Sequence, residues 1–218
     1  MVNINDFRTL VNYITRKANV GNTTTTPDFD LAADYAQMMP YSMDYETFVK
    51  TKVVSNYLQT FLKINNVNNI TADNTIIPYP SDFQYVSSVG TLYDGKQNDA
   101  TLVDNADWRE MLRPNSLNYP TPRHPKYQQI GIGIQFAPNI QTVTYLDYFS
   151  RPRKPHWAYT IENNRQVYDP NNSVNFEWDE FNMNRIIAYY LQYVGISLKD
   201  TEIAVFAQQF TAETQQTV

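Results

Sequence analysis

The sequence predicts an α+β protein: a helical bundle made from both ends of the chain, with an antiparallel β-rich insertion between them. Three observations lead to this class. Apolar residues recur at spacings of three and four near the start and again near the end, which is the helical period. Between these regions the pattern becomes apolar runs punctuated by Asp-Gly, Gly-x-Gly and Pro, the pattern of strands and turns. Helices, then strands, then helices is an order that segregates the two kinds of element. The expected organisation is residues 1–70 for the N-terminal helices, 71–179 for the insertion and 180–218 for the helices that complete the bundle.

The elements follow in order. Ile4, Phe7, Val11, Ile14 and Ala18 lie on one helical stripe. Gly21 and a run of threonines break it, and Pro27 marks the next start. A second helix is expected from about Asp28 to Met39, with Phe29, Ala32, Ala33, Ala36 and Met39 inward and Pro40 ending or kinking it. A third is expected from about Ser42 to Lys63, with Phe48, Val49, Val53, Tyr57 and Phe61 on its stripe. "NNVNNITADN" reads as a loop. "FQYVSSVGTLYDG" and "DATLV" read as strands around Asp94-Gly95, and "NADWREMLRPN" as one helix. "NYPTPRHPKY" holds too many prolines for either element. "QQIGIGIQFAPN" and "IQTVTYLDYFSRP" are expected to pair around Pro138-Asn139, with a short strand over His156 to Ile161. Phe181, Arg185, Ala188, Tyr189 and Gln192 share a face of a helix ended by Gly195, and Ile203, Phe206, Ala207 and Phe210 mark a last helix.

Composition narrows the function classes. Tyrosine is abundant at 17 copies while charged residues are 18%, below the roughly 25% usual for soluble proteins. Tyrosine offers large, rigid contact area with a polar tip, which suits either a partly wet interface or a tyrosine-rich core. A net charge of -5 argues against coating nucleic acid by bulk electrostatics. No cysteine is present, which excludes disulfide and thiolate chemistry. The first twenty residues lack a signal-peptide pattern, and no apolar run approaches membrane-spanning length, so a protein made in a cytoplasm is expected, with no membrane partner.

Motifs for chemistry are weak. His124 and His156 have no second ligand at metal spacing, and "DGKQND" places its glycine wrongly for a calcium loop. "GIGIQF" lacks the third glycine and the Lys-Ser/Thr pair of phosphate loops. Gly131 and Gly133 alternate instead with isoleucines, suggesting a strand face against which backbone or a ring lies close. Asp94, Asp99, Asp104 and Asp107 cluster where turns make Asp ordinary. No serine sits in a nucleophile elbow. The expectation is no enzyme, no cofactor and no metal.

The stretch "YLDYFSRPRKPHWAY" carries most of the interest. Arg151, Arg153 and Lys154 could meet two or three phosphates, too few for affinity at physiological salt. Pro152 and Pro155 fit a polyproline ligand, or a stiff corner that stops ladder pairing and turns the cations outward. The corner is the preferred reading. Tyr145, Tyr148, Arg151, Arg153, Lys154 and Trp157 are the candidate residues for a subunit or partner interface, and Tyr145 and Trp157 fit a core role equally well.

Longer segments add a resemblance. "YFSRPRKPHWAYTIENNRQVYDPNNSVNFEW", with its Tyr-Asp-Pro turn, and the helix "MNRIIAYYLQYVGISL" are similar to segments of tailed-phage particle proteins. So are "FRTLVNYITRKANVG…PDFDLAADYAQ" and "PYPSDFQYVSSV". The chain most resembles neck, or head–tail connector, components of crAss-like phages. That resemblance implies a ring-forming adaptor of about twelve copies, joined to the portal and to other neck-ring or tail proteins. It implies a virion location, assembly in the host cytoplasm, no catalysis, and a lumen that conducts genomic DNA without sequence-specific binding. Acidity suits such a conduit, because a repelled strand does not stick. The alternatives are a tail-completion or capsid auxiliary protein, a DNA-binding module using Arg151–Arg165, and a hydrolase built on two carboxylates.

Overall fold

A computed structural model of the protein describes residues 1–17, 25–70, 76–113, 116–138 and 142–197. It has the expected mixed architecture, with helices from both ends of the chain flanking a central, mainly antiparallel β region. The chain forms two compact units, cut at 60/61 and 151/152. The stretch from Pro152 onward, read as part of the insertion, thus belongs with the helices. Among the described residues, no helix is long and apolar enough to cross a membrane.

The helical unit holds α1 (Ile4–Lys17), α2 (Thr26–Thr51), the single turn α3 (Asn56–Gln59) and α5 (Met183–Ser197). Asn3 starts α1 by accepting the Asn5 and Asp6 backbone N–H groups, at 2.8 and 3.4 Å. Thr25 caps α2, its hydroxyl accepting the Asp28 N–H, and a proline sits in the first turn. The core is aromatic. Phe7 packs 4.9 Å from Phe176 and 5.5 Å edge-on from Tyr190, and Phe29 lies 5.7 Å from Tyr190. Each such ring pair is worth about 0.5–1.5 kcal/mol beyond its buried area. The extended strip around Phe176 is tied to the N-terminus by Val2 N–H to Trp178 O and Phe176 N–H to Val2 O.

Two helices were expected where α2 runs unbroken through Pro40. Proline inside a helix costs about 3 kcal/mol, and α5 supplies the compensation by bridging both sides of it. Before the proline, Tyr35 packs against Tyr193 with the rings tilted and their centroids 4.8 Å apart. After it, Tyr189 Oη lies 2.9 Å from Met43 Sδ, and Arg185 grips Asp44 through two bonds of 3.0 and 3.1 Å. Pro40 itself is buried. The helix then stops at Thr51, well before Lys63, because Lys52 turns left-handed (φ 59°) and its N–H closes on Phe48 O. Val49 and Val53, expected on the inward stripe, are exposed, while Phe48 and Phe61 are buried.

The second unit contains β1 (Leu62–Ile70), β2 (Ile76–Pro78), β3 (Phe83–Tyr93), β4 (Lys96–Asp99), β5 (Thr101–Leu102), α4 (Asn105–Met111), β6 (Lys126–Ile130), β7 (Gly133–Ala137) and β8 (Thr142–Ser150). One sheet runs β1-β8-β3-β4 and the other β2-β7-β6-β5. All pairings within them are antiparallel except the two-residue β5–β6 contact. Ile77, Val86, Val89, Tyr127, Ile134, Phe136, Leu146 and Tyr148 form a core to which both sheets contribute. The Asp94–Gly95 turn lies where expected, with φ of 52° and 69°, but it joins β3 to Lys96–Asp99 and not to "DATLV", whose Thr101–Leu102 forms β5 in the other sheet.

Two readings are corrected here. "NNVNNI" is not a loop but most of β1, paired with β8 from Val67↔Tyr145 to Ile70↔Thr142. Its asparagines disfavour strand locally, and long-range pairing overrides that. The expected β7–β8 pair does not form either. β7 folds back on β6 around Gly131 and Ile132, while β8 enters the other sheet between β1 and β3. Gly133, not Gly131, is the close approach: a Cβ there would lie 2.1 Å from the Ile77 carbonyl oxygen.

The remaining strands, β9 (Tyr159–Glu162) and β10 (Arg165–Tyr168), form a separate two-stranded ribbon in the helical unit. Its turn is Asn163-Asn164, both left-handed at 50° and 62°. His156, expected to open this strand, instead makes an isolated bridge to Val174. Phe181 lies in a 3-10 turn before α5 and is 91% exposed. Ala18, Asn139 and the expected last helix with Ile203, Phe206, Ala207 and Phe210 lie outside the described residues.

The Arg185–Asp44 pair keeps only 16% and 14% of its side-chain surface. Asp44→Ala is expected to cost about 2 kcal/mol in a urea titration, since it strands a largely buried cation. The double variant Asp44→Leu with Arg185→Met should recover most of that loss, which a double-mutant cycle would measure.

Candidate interaction site

The segment from Arg151 to Tyr159 alternates in burial. Pro152, Pro155, Trp157 and Ala158 are buried, while Arg151, Arg153, Lys154, His156 and Tyr159 are exposed. Proline lacks an N–H and fixes its own φ, so buried prolines hold the strip extended without leaving a donor unpaired. Arg153 is fastened by its backbone: its N–H reaches Glu177 Oε2 at 3.0 Å and its carbonyl accepts Gln37 Nε2 at 2.8 Å. Its guanidinium also meets Glu177, at 3.0 Å, while 77% exposed. An ion pair this open contributes little, about 0–1 kcal/mol.

Trp157 is the anchor of this site. Its backbone N–H donates to Asp30 Oδ1 at 3.0 Å and its indole N–H to Asn5 Oδ1 at 3.1 Å. The Arg8 guanidinium lies 3.6 Å from the ring centroid, a close cation–π contact. Burial draws the Arg8 pKa below its ordinary value, against the opposing influence of Tyr190, Asp30 and Tyr159. On the ribbon side, Tyr159 and Tyr168 stack on Trp157 at 5.6 and 6.0 Å. The second Asp30 oxygen lies 2.6 Å from His156 Nδ1, so one carboxylate holds two consecutive residues.

Asp169 closes the other strand of the ribbon. Its N–H donates to the Ala158 carbonyl at 3.0 Å, and its carbonyl accepts the Ser173 hydroxyl at 2.6 Å. Its carboxylate accepts Asn172 Nδ2 and the Asn171 N–H, and the Asn172 bond holds its pKa below the ordinary value. Above this root the ribbon is open. All four residues of β9 are exposed, Ile161 at 71%, and so are Arg165, Gln166 and Val167.

Tyr145 and Tyr148 lie in the other unit and are buried there at 6% and 7% exposure. Tyr148 donates to Asp82 Oδ1 at 2.9 Å, and Tyr145 to Asp99 Oδ1 at 2.5 Å. The Tyr145 ring covers Gly90, where a Cβ would come within 2.2 Å of its hydroxyl. Burial first, then these carboxylates, pushes both phenols up to about 12. Asp99 is therefore taken up by Tyr145, and Asp104 caps α4 by accepting the Asp107 N–H at 3.0 Å. His124 sits in a turn with Thr121 in that same unit, and His156 belongs to the helical unit.

Of the six candidate interface residues, Tyr145, Tyr148 and Trp157 are thus engaged inside the units, and Arg151, Arg153 and Lys154 are exposed. Reading the sequence missed Arg8, Asp30 and Asp169 as the residues that fix the ribbon. Each carried a local signal: Arg8 and Asp30 follow the inward Phe7 and Phe29, and Asp169 lies in the Tyr-Asp-Pro turn. The chain matches no protein-family model, and no curated protein matches it.

Asp30→Ala should lower stability by about 1–3 kcal/mol by stranding the Trp157 N–H. Asp30→Asn, which keeps an acceptor, should lose less; tryptophan-monitored denaturation would compare them. At alkaline pH the direction follows from the raised phenols. Their neutral forms are favoured by folding, so the contribution is whole below about pH 10 and vanishes as pH rises to about 12. Tyr145→Phe and Tyr148→Phe should each flatten that alkaline loss in a series of unfolding midpoints.

Proposed function

We propose that the protein is a structural virion component, a ring-forming head–tail connector adaptor that joins the portal to the tail and forms part of the DNA conduit. The observation that carries this reading is where the connector-like motif falls. Its Trp157, Tyr168 and Asp169 converge on one root, and that root presents an exposed ribbon bearing Tyr159, Ile161 and Val167. A rigid body offering apolar and aromatic side chains on a projecting element is what an assembly subunit requires. The exposed Arg153 and Lys154 of the helical unit, and Arg151 of the other, each offer positive charge to an acidic protein neighbour. With a net charge of -5, the chain repels passing DNA more than it holds it. In this reading its partners are further copies of itself, the portal, and other neck-ring or tail proteins.

The test is to mix the purified protein with portal rings and examine the product by native mass spectrometry and electron microscopy. A defined ring seated on the portal is expected. Charge reversal at Arg151, Arg153 and Lys154 should weaken that complex, and because Arg153 faces Glu177, reversal of Lys154 alone is the arm expected to weaken it without lowering the melting temperature. Failure to associate with the portal or any virion particle would sink the proposal. Steep, salt-dependent binding to generic DNA, lost on the same reversal, would favour a DNA-binding module.

A further inference from the structure

We infer that copies of this chain associate head to tail, the β9 edge of the ribbon of one copy pairing with the β1 edge of the sheet in the next. This goes beyond the neck reading and does not depend on it.

The acceptor is the one long sheet edge among the described residues of its unit. β1 spans nine residues and is hydrogen-bonded in a sheet only to β8. It contains no proline, and its single charged residue is the exposed Lys63. The other three edges are short. β4 has four residues including Lys96 and Asp99, β2 has three and ends in Pro78, and β5 has two. Short strands, charges, proline and bulges are the usual protections of an edge; β1 has one charge and one register shift between Lys63 and Asn66, and beyond that shift it runs in regular register to Ile70.

The donor is the ribbon. Two strands alone are marginally stable in water, and this pair exposes Tyr159, Ile161 and Val167. Laying its β9 edge along a partner sheet would pair its outer backbone groups and bring Tyr159 and Ile161, which share one face of the ribbon, beside the partner's side chains. Charge then selects the occupant. β9 ends in the exposed Glu162, whereas β10 begins with Arg165. Pairing through β9 sets Glu162 nearest the neighbour's Lys63, whereas pairing through β10 would set Arg165 there, the residue that faces Glu162 across the ribbon. A second β1 has no carboxylate to offer, so symmetric pairing gains nothing from charge. Because donor and acceptor are different patches, the contact repeats from copy to copy and can close as a ring.

The absence of cysteine makes a clean test possible. Lys63→Cys and Glu162→Cys are made as separate chains, mixed and mildly oxidised. Both positions are exposed, and unchanged circular dichroism and melting would confirm folding. Mixed Lys63→Cys/Glu162→Cys dimers should exceed, by about tenfold, those from Glu162→Cys with the exposed control Leu117→Cys. A chain carrying both cysteines should give a ladder of covalent multimers. Predominant Lys63→Cys homodimers would indicate symmetric edge pairing and overturn the inference. So would mixed crosslinking no greater than the control at any protein concentration. Glu162→Lys should reduce association, and the combined Lys63→Glu, Glu162→Lys chain should regain it; a combined chain as weak as the single variant would also contradict the inference.

Discussion

Four rings hold the helical unit together: Phe7 from α1, Phe29 from α2, Phe176 from the extended strip and Tyr190 from α5. They come from both ends of the sequence, so this unit cannot form until the chain between them has been spanned. Closing so long a loop is entropically costly, and buried aromatic contact is the term that offsets it. The arrangement has a second consequence. The residues just after two of the rings, Arg8 and Asp30, are those that hold Trp157. Packing of the core and placement of the ribbon are therefore set by consecutive residues on the same two helices.

This coupling makes the ribbon a well-aimed element on a firm base. Asp30 fixes its entry, Asp169 and Ser173 fix its exit, and Trp157 is gripped between Arg8 and two tyrosines. Beyond the root, side chains point to solvent on both strands. Among its described residues the second unit shows the same contrast, with a packed core between three short edge strands and one long one, β1. In the association we propose, these two exposed elements pair with one another between copies.

The fold class was legible because helical and alternating periods are local signals, and the stripe of Phe7, Val11, Phe29 and Ala33 states which faces are buried. The Asp94-Gly95 turn was legible for the same reason. What could not be read was set by distant partners. Pro40 looks like a stop until Tyr193, Tyr189 and Arg185 are placed across both sides of it. "NNVNNI" looks like a loop until β8 offers its backbone. In the candidate site, the outward cations of 151–154 follow from the spacing of the prolines, but the burial of Pro152 and Pro155 does not, and Asp30 lies 127 residues from Trp157 with no spacing to connect them. Tyr145 shows a subtler case: it was a candidate for a partner, and instead its ring fills the space that Gly90 leaves.

The most direct test of the assembly account is a density map of a particle containing this chain, resolved well enough to trace its neighbours. The account expects a ring between portal and tail, with each copy's ribbon lying on the β1 edge of the adjacent copy and Trp157 still buried at its root. A map that places the chain outside the neck, or leaves the ribbon in solvent with β1 uncovered, would contradict it.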